Sequence, residues 1–243
     1  TTHNLGIDKH GLGELAIAHI PKAVDWLREE VDEWRYLGGF ECELWSAEEV
    51  AERGYRGPNI HGGMLFPFGF ALHPMKYARE LARLAQRSGA IIHAHSPVTG
   101  WSRKNGNHRL HTATGTLTAA KVLVATNGFT LDELHPAFVG CLLPGLSQVV
   151  ATRALTDDEL VAHDWSAECG SLYDTRPMFS YFQMSLGRHL VLGSGGGLTG
   201  SPSSRENWKR FLARRVAQMF PEWRNVEISH SWRGFWCMTR DAL

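Results

Sequence analysis

The chain has 243 residues, 43% hydrophobic and 21% charged, which suffices for one large domain or two small ones with a substantial core. Its 25 lysine and arginine residues balance 25 aspartate and glutamate residues, which excludes the basic surface of a nucleic-acid-binding protein and argues against disorder. The sequence shows no apolar run near the roughly 18 residues of a membrane span and no leader. We therefore expect a soluble protein whose partners include neither nucleic acid nor a membrane.

Four cysteines are spread along the chain without C-x-x-C spacing: Cys42, Cys141, Cys169 and Cys237. Zinc ribbons, dithiol redox pairs and dense disulfide frameworks need closely spaced cysteines, so the pattern argues against all three. We expect isolated thiols in a reducing compartment, and hence a cytoplasmic protein.

The first part of the chain predicts two helices. Residues 21–37 carry proline in the first turn, apolar residues at helical spacing, and a glycine pair at the end. Residues 74–88 repeat this pattern after the Leu72-His73-Pro74 signal. Residues 57–72 between them are rich in glycine, phenylalanine and proline, which favours strands and turns.

A series of short strands is predicted next. Residues 90–95 and 98–103 form β-branched runs separated by Ser96-Pro97, and residues 108–114 and 116–120 flank a hairpin turn. Residues 121–125, Lys-Val-Leu-Val-Ala, are typical of a strand buried in a parallel sheet. The following Thr126-Asn127-Gly128 would then lie at a strand carboxyl end, which is where α/β sheets bind ligands.

The second half predicts a mostly antiparallel layer and a third helix. The helix is expected over residues 204–220, with one apolar face and a closing proline. Strands are expected over residues 147–153, 178–184, 189–193, 226–228 and 231–236.

Three patterns resemble functional motifs but lack the context that those motifs need. Residues 195–200 match G-x-G-x-x-G, yet Ser201-Pro202-Ser203 delays the helix and the strand before them belongs to the antiparallel region. Ser194 lacks the G-x-S-x-G shape of a hydrolase nucleophile. His93 and His95, predicted on one strand face, have no acidic partner close by in sequence, so no metal site is predicted.

Three further segments together resemble a known family. They are Ala71-Leu72-His73-Pro74 opening a helix, Val124-Ala125-Thr126-Asn127-Gly128 ending a strand, and Trp232-Arg233-Gly234 followed by Met238-Thr239-Arg240-Asp241. In this order and spacing they resemble the FAD-dependent amine and amino-acid oxidoreductases of the D-amino acid oxidase family, closest to the branch containing gamma-glutamylputrescine oxidoreductase. The resemblance runs from about residue 13 onward.

The resemblance implies an α/β (α+β) fold with a partial Rossmann-like FAD-binding domain and a mostly antiparallel substrate domain. Residues 1–70 and 144–229 would belong to the substrate domain, and residues 71–143 and 230–243 to the FAD-binding domain. It also implies FAD as the cofactor and a set of cofactor-binding residues: His73, Val98, Ala125, Thr126, Asn127, Gly128 and Gly234. His73 is also compatible with a helix-capping role.

The function implied is oxidation of a C–N bond of an amine or amino acid (gamma-glutamylputrescine-like, sarcosine-like or D-amino acid) by hydride transfer to the flavin. Tyr181 and Trp232 are the expected pocket residues. Arg176 and Arg188 would either anchor a substrate carboxylate or be exposed strand-end charges. No general base can be named. Gln183 stands where relatives often carry arginine, which weakens the case for anion recognition there.

The chain departs from the family at both ends, so it looks like the middle portion of a longer chain. It contains no βαβ unit with the glycine fingerprint and ribose-binding acid, and it stops before the family's last glycine-rich segment. These residues alone are therefore expected to retain FAD weakly. A split-flavoprotein subunit, a non-catalytic fragment, a binding module without redox activity and an oligomer remain open alternatives.

Overall fold

The computed structural model describes residues 5–165, 168–197 and 200–239. The helices in these residues are α1 (Pro21–Gly38), α2 (Ala47–Arg53), α3 (Pro74–Arg87), α4 (Asp157–His163) and α5 (Pro202–Met219). The strands are β1 (Leu12–Ile17), β2 (Glu43–Trp45), β3 (Gly63–Phe66), β4 (Gly100–Lys104), β5 (Asn107–His111), β6 (Thr116–Ala119), β7 (Leu142–Thr152), β8 (Cys169–Asp174), β9 (Ser180–Met184), β10 (Leu190–Gly195) and β11 (Ile228–Thr239). Short 3-10 turns lie at Asn127–Phe129, Asp132–Leu134, Pro136–Phe138 and Pro221–Trp223.

The strands form one large and one small sheet. The large sheet has the order β11-β7-β10-β9-β8-β1-β3-β2, and the small sheet has the order β4-β5-β6. In the large sheet, β1 and β8 run parallel, whereas the other neighbouring strands are antiparallel. This mixed α/β architecture with a mostly antiparallel large sheet confirms the predicted fold class.

One face of the large sheet is covered by α5. Leu15 of β1, Leu172 of β8 and Leu192 of β10 point to this face and share a buried core with Leu212 and Val216 of α5. Because apolar burial stabilises by roughly 25 cal/mol per Å², this core is the main source of the fold's stability.

Of the described helices, α1 covers the opposite face, at its β1–β3 end. Ala16 alternates with Leu15, so it points away from α5 and packs with Met64 against Ala23 and Leu27 of α1. The small side chains of Ala16 and Ala23 let α1 approach the sheet closely. Beyond α1, the same face over β8, β9, β10, β7 and β11 forms the floor of a cleft.

The three predicted helices are confirmed to within two residues at each end. α1 and α3 both begin at a proline, whose fixed φ suits the first helical turn. Gly39 follows α1 in the left-handed conformation, with φ of 65°, and its N–H bonds back to the last turn. Local chemistry therefore determines where these helices begin and end.

The predicted hairpin is confirmed as the β5–β6 pair, and β4 extends it into the small sheet. His111 bonds Ser102 Oγ and Thr116 Oγ1 across the three strands, at 3.0 and 3.1 Å. Trp101 Nε1 donates to His108 Nδ1 at 3.0 Å. These histidines thus stabilise the small sheet.

Two predicted strands are wrong. Residues 90–95 and 121–125 have no strand structure, so His93 and His95 do not share a strand face. Ile91 is 82% exposed and Leu123 is 91% exposed. An apolar run becomes a strand only when another strand supplies hydrogen bonds, and no described strand lies beside either run.

The remaining differences concern elements that have weak periodicity. The strands predicted over residues 226–228 and 231–236 are one long strand, β11, with an irregularity between Ile228 and His230. β1 and β8 were not predicted because they are short, largely buried and pair in parallel across about 150 residues of chain. α2 and α4 carry S/T-x-x-E capping boxes at Ser46 and Thr156, a signal that could have located both.

The sheets divide the chain much as the expected domains do, although the domain assignment stays a prediction. β1–β3 and β7–β11 lie in the large sheet, and residues 71–143 supply α3 and the small sheet. The expected boundary at residue 230 has no counterpart in strand pairing, because β11 stays paired with β7 through Thr239.

All four cysteines are free, with Cys42 and Cys169 buried. Burial raises the pKa of the Cys169 thiol to about 11. In the described part of the chain, no helix has the length and apolar character to cross a bilayer.

Candidate active site

A row of directly opposed residues crosses the uncovered part of the large sheet. In order, Trp232 of β11 faces Val149, Val149 faces Gly193, Gly193 faces Tyr181, and Tyr181 faces Tyr173 of β8. Side chains alternate along each strand, so all five lie on the face away from α5. The register therefore brings Tyr181 and Trp232, the two predicted pocket residues, onto one surface.

This row forms the floor of a cleft of about 650 Å³, which we call the aromatic cleft. Its lining is dominated by aromatic rings, with few polar groups, as ligand sites generally are. The lining residues are Glu14, Pro74, Val149, Ser171, Tyr173, Phe179, Tyr181, Phe182, Gln183, Val191 and Trp232.

Tyr181 is held in place by its neighbours on β10 and β7. A Cβ atom on Gly193 would lie 2.3 Å from the tyrosine ring, so the ring fits only because position 193 has no side chain. The Tyr181 hydroxyl lies 2.5 Å from Ser147 Oγ. Burial raises the pKa of Tyr181, with the Ser147 hydrogen bond opposing it. The hydroxyl therefore remains protonated at neutral pH.

The far side of the aromatic cleft carries a carboxylate. Glu14 of β1 accepts a hydrogen bond from Ser171 Oγ at 3.0 Å and lines the cleft with Tyr173. Burial and the nearby Glu30 and Glu14 carboxylates raise the pKa of Tyr173 to about 12. In the part of the chain that the structure describes, no lysine or arginine lines the cleft and none forms an ion pair with Glu14. The cleft is thus aromatic with one unpaired negative charge.

A second lobe of about 630 Å³ continues from the aromatic cleft past Trp232 and Pro74. It is lined by four histidines and one lysine: His10, His73, His189, His230 and Lys76. The lysine Nζ pairs with Asp8 at 2.7 Å, which neutralises its charge. Among the described residues, no three metal-ligating side chains converge. Its lining suits an uncharged, hydrogen-bonding part of a ligand.

His73 lines the second lobe, whereas Gly234 lies on β11 outside the lining of both lobes; their cofactor roles stay predictions. His73 makes no capping hydrogen bond through its side chain and lines the second lobe, so the structure does not support the capping alternative. Gly234 pairs with Ser147, and a Cβ atom there would meet nothing within 4 Å. The sheet surface is therefore open above Gly234, two residues from Trp232.

The predicted loop at residues 125–128 packs on β11 with its backbone at the surface. Asn127 has φ of 48° and accepts a hydrogen bond from the Gly128 N–H at 2.6 Å. A Cβ atom on Gly128 would lie 3.0 Å from Phe235 Cβ, so glycine permits this close approach. Ala125 and Thr126 are exposed. The loop thus contacts β11, the strand that contains Gly234.

The remaining predicted residues lie elsewhere. Val98 precedes the small sheet and lines neither lobe. Arg188 is exposed and pairs with Asp157 at 2.6 Å, which matches the surface-charge alternative. Arg176 pairs with the buried Asp174 and lines a separate cavity on the α5 side of the sheet. Neither arginine shares a cavity with Tyr181 and Trp232. Their role as anchors of a substrate carboxylate stays a prediction.

Sequence reasoning missed Glu14, Tyr173 and Gly193, since no local motif marks them. The structure also supports the rejection of two of the three motif-like patterns, the glycine run and Ser194. β10, which precedes the glycine run, is antiparallel to both neighbours, and residues 198 and 199 lie outside the described residues. Ser194 is fully buried.

Comparison of the sequence with known proteins identifies relatives of this chain. The chain is 24% identical to gamma-glutamylputrescine oxidoreductase of Escherichia coli (strain K12) over 234 residues, which are 95% of this chain and 53% of the relative. It thus spans about half the length of that relative.

Solved structures show the same fold. Glycine oxidase from Geobacillus kaustophilus matches with a TM-score of 0.76 and 21% identity, covering 98% of this chain and 62% of that one. L-proline dehydrogenase from P. horikoshii matches with a TM-score of 0.77 and 17% identity, covering 97% and 63%. The family model described as "FAD dependent oxidoreductase" matches residues 1–243. The chain therefore belongs to the DAO family of FAD-dependent oxidoreductases.

Proposed function

We propose that the full-length protein uses FAD to oxidise a C–N bond of an amine held in the aromatic cleft. The observation that carries the proposal is the cleft lining, in which no described residue pairs with Glu14 and no described arginine or lysine is present. A carboxylate attracts an ammonium group, whereas recognition of a substrate carboxylate normally uses arginine. This lining favours an amine over an amino acid.

The aromatic rings support the same conclusion. Phe179 lies between Tyr173 and Tyr181, with ring centroids 6.4 and 6.1 Å away. Faces of aromatic rings attract a cation within about 6 Å and simultaneously exclude water. Glu14 would accept hydrogen bonds from the amine nitrogen, while the rings hold its apolar carbons.

The residues present fit FAD at the open end of the sheet. The space above Gly234 and the exposed Trp232 ring suit a planar heteroaromatic group, and the Asn127–Gly128 turn exposes backbone that a nucleotide can approach. His73, Val98, Ala125 and Thr126 would complete this set, as the resemblance implies. When bound, FAD would supply the two-electron acceptor for conversion of the C–N bond to C=N.

The experiment measures reduction of the bound flavin by an amine, in the absence of oxygen, for the full-length protein and its Glu14→Gln variant. We expect the apparent Kd for a diamine to rise about 10-fold in Glu14→Gln, because a charged hydrogen bond is lost. Glu168→Gln is the matched control, since Glu168 is exposed and pairs with Arg53 outside the cleft. Equal behaviour of both variants, or faster reduction by amino acids than by the matching amines, would contradict the proposal.

A further inference from the structure

A second cavity lies on the opposite side of the large sheet from the aromatic cleft. Ile17 and Asp174, which line it, alternate with Ala16 and Tyr173 of the cleft face. Its volume is about 270 Å³, and α5 closes it with Arg215 and Gln218. This separation means that a ligand in the cavity cannot contact the aromatic cleft.

One side of the cavity holds a guanidinium in a fixed position. Asp174 is 2% exposed, and its carboxylate accepts hydrogen bonds from the Arg176 side chain and from the backbone N–H groups of Arg176 and Ser180. These donors occupy the carboxylate, so its charge serves to orient Arg176.

The other side holds a guanidinium without a counter-charge. No carboxylate among the described residues pairs with Arg215, and its Nε is buried without a hydrogen-bond partner. Burial and the nearby Arg176 lower the pKa of Arg215. A buried donor without a partner destabilises the fold, and an anion bound there would remove that cost.

The neighbouring polar groups complete the lining. The His19 ring lies 2.8 Å from Thr175 Oγ1, and burial together with Arg176 lowers its pKa, which keeps it neutral. Two guanidinium groups therefore face one carboxylate, which leaves one excess positive charge. Gln218 and Asn59 add amide groups at the rim.

We propose that this cavity binds a small molecule through a carboxylate or phosphate group, held between Arg176 and Arg215. Guanidinium groups match both anions because their planar N–H donors can bind two oxygens at once. The volume lies below the roughly 300–1,000 Å³ of most ligand pockets, so the ligand is small.

The test is calorimetric titration of the FAD-loaded full-length protein with inorganic phosphate and, separately, with succinate. We expect one site per chain. The anion that binds more tightly shows whether the ligand is held through a phosphate or a carboxylate group. Arg215→Gln should weaken binding about 10-fold or more, because a charge-assisted contact is lost. Arg210→Gln removes a charge from the exposed face of the same helix, where Arg210 pairs with Glu206, and should leave binding unchanged. Absence of a site, or equal weakening by both variants, overturns the proposal.

A second variant keeps the test decisive if Arg215→Gln fails to fold. Gln218 lines the cavity and is exposed, so Gln218→Glu supplies a carboxylate there with little change in shape. We expect it to abolish binding of both anions, whereas unchanged binding would refute the site. Glu14→Gln should bind the anions normally, which separates this cavity from the proposed amine site.

Discussion

At the scale of single residues, the aromatic cleft depends on where side chains are missing as much as on where they are present. Gly193 leaves room for the Tyr181 ring, and Gly234 leaves the sheet surface open beside Trp232. Both glycines lie in strands, where glycine is otherwise unfavourable. Their cost in stability therefore accompanies the room that they leave on the cleft face of the sheet.

Replacing Gly193 with valine should displace the Tyr181 ring and lower the free energy of unfolding by about 1–3 kcal/mol through overpacking. Urea unfolding followed by tryptophan fluorescence measures this change. Gly234→Val is the control, because a side chain there enters open space and should change stability by less than about 0.5 kcal/mol. If both valine variants lose the same stability, Gly193 has no special packing role.

At the scale of elements, capping chemistry positions the short helices around the sheet. In α4, Thr156 Oγ1 accepts from the Glu159 N–H at 3.2 Å, and Glu159 accepts from the Thr156 N–H at 2.9 Å. Arg153 at the end of β7 also donates to both Glu159 oxygens, at 2.7 and 2.8 Å. One carboxylate thus caps the helix and attaches it to the sheet.

This arrangement predicts an acid-dependent loss of stability. The Arg153 hydrogen bonds, with the Thr156 N–H, lower the pKa of Glu159 to about 2 from its ordinary 4.5. A folded-state pKa below the unfolded value stabilises the fold above pH 4.5, and this contribution is lost as the pH falls towards 2.

Urea unfolding at neutral pH and at several values between pH 4.5 and 2 measures the loss. We expect Glu159→Gln to be less stable than the parent at neutral pH and to lose less on acidification. Asp158→Asn is the comparison, because Asp158 lies in the same first turn without an ion pair among the described residues. An acid dependence in Glu159→Gln as steep as that of the parent would show that the ion pair is not responsible.

At the scale of the whole molecule, one region of the chain keeps its apolar residues at the surface. α3 has apolar residues on one side, including Tyr77 and Leu81, yet none of its residues is buried. Ile91 and Leu123 lie in the two runs that were wrongly predicted as strands. Large apolar side chains exposed in this number are typical of a region that associates with other apolar groups.

Residues 1–243 expressed alone should accordingly enhance the fluorescence of a hydrophobic dye such as ANS. The double variant Ile91→Lys and Leu123→Lys should reduce that fluorescence by about half, because the two most exposed residues of the region become charged. Val161→Lys alters one exposed apolar residue of α4 and should have little effect. Unchanged dye binding in the double variant would place the dye elsewhere.

Local chemistry in the sequence determined the helices and the hairpin. α1, α3 and α5 follow from proline starts, glycine or proline ends and helical spacing of apolar residues, which act over a few neighbouring residues. The family resemblance also followed from local motifs, and with it the FAD cofactor.

Tertiary structure decided which strands form and what lines each cavity. Residues 121–125 have the composition of a buried strand, but no described strand lies beside them, whereas β1 is a strand because β8 and β3 supply its hydrogen bonds. Glu14 meets Ser171 across more than 150 residues of chain. Asp174 alternates with Tyr173 on β8 and therefore lies on the face opposite Tyr181, where it pairs with Arg176. Strand pairing, and the sheet face to which each side chain points, depend on contacts between distant segments. No pattern within a single segment contains that information.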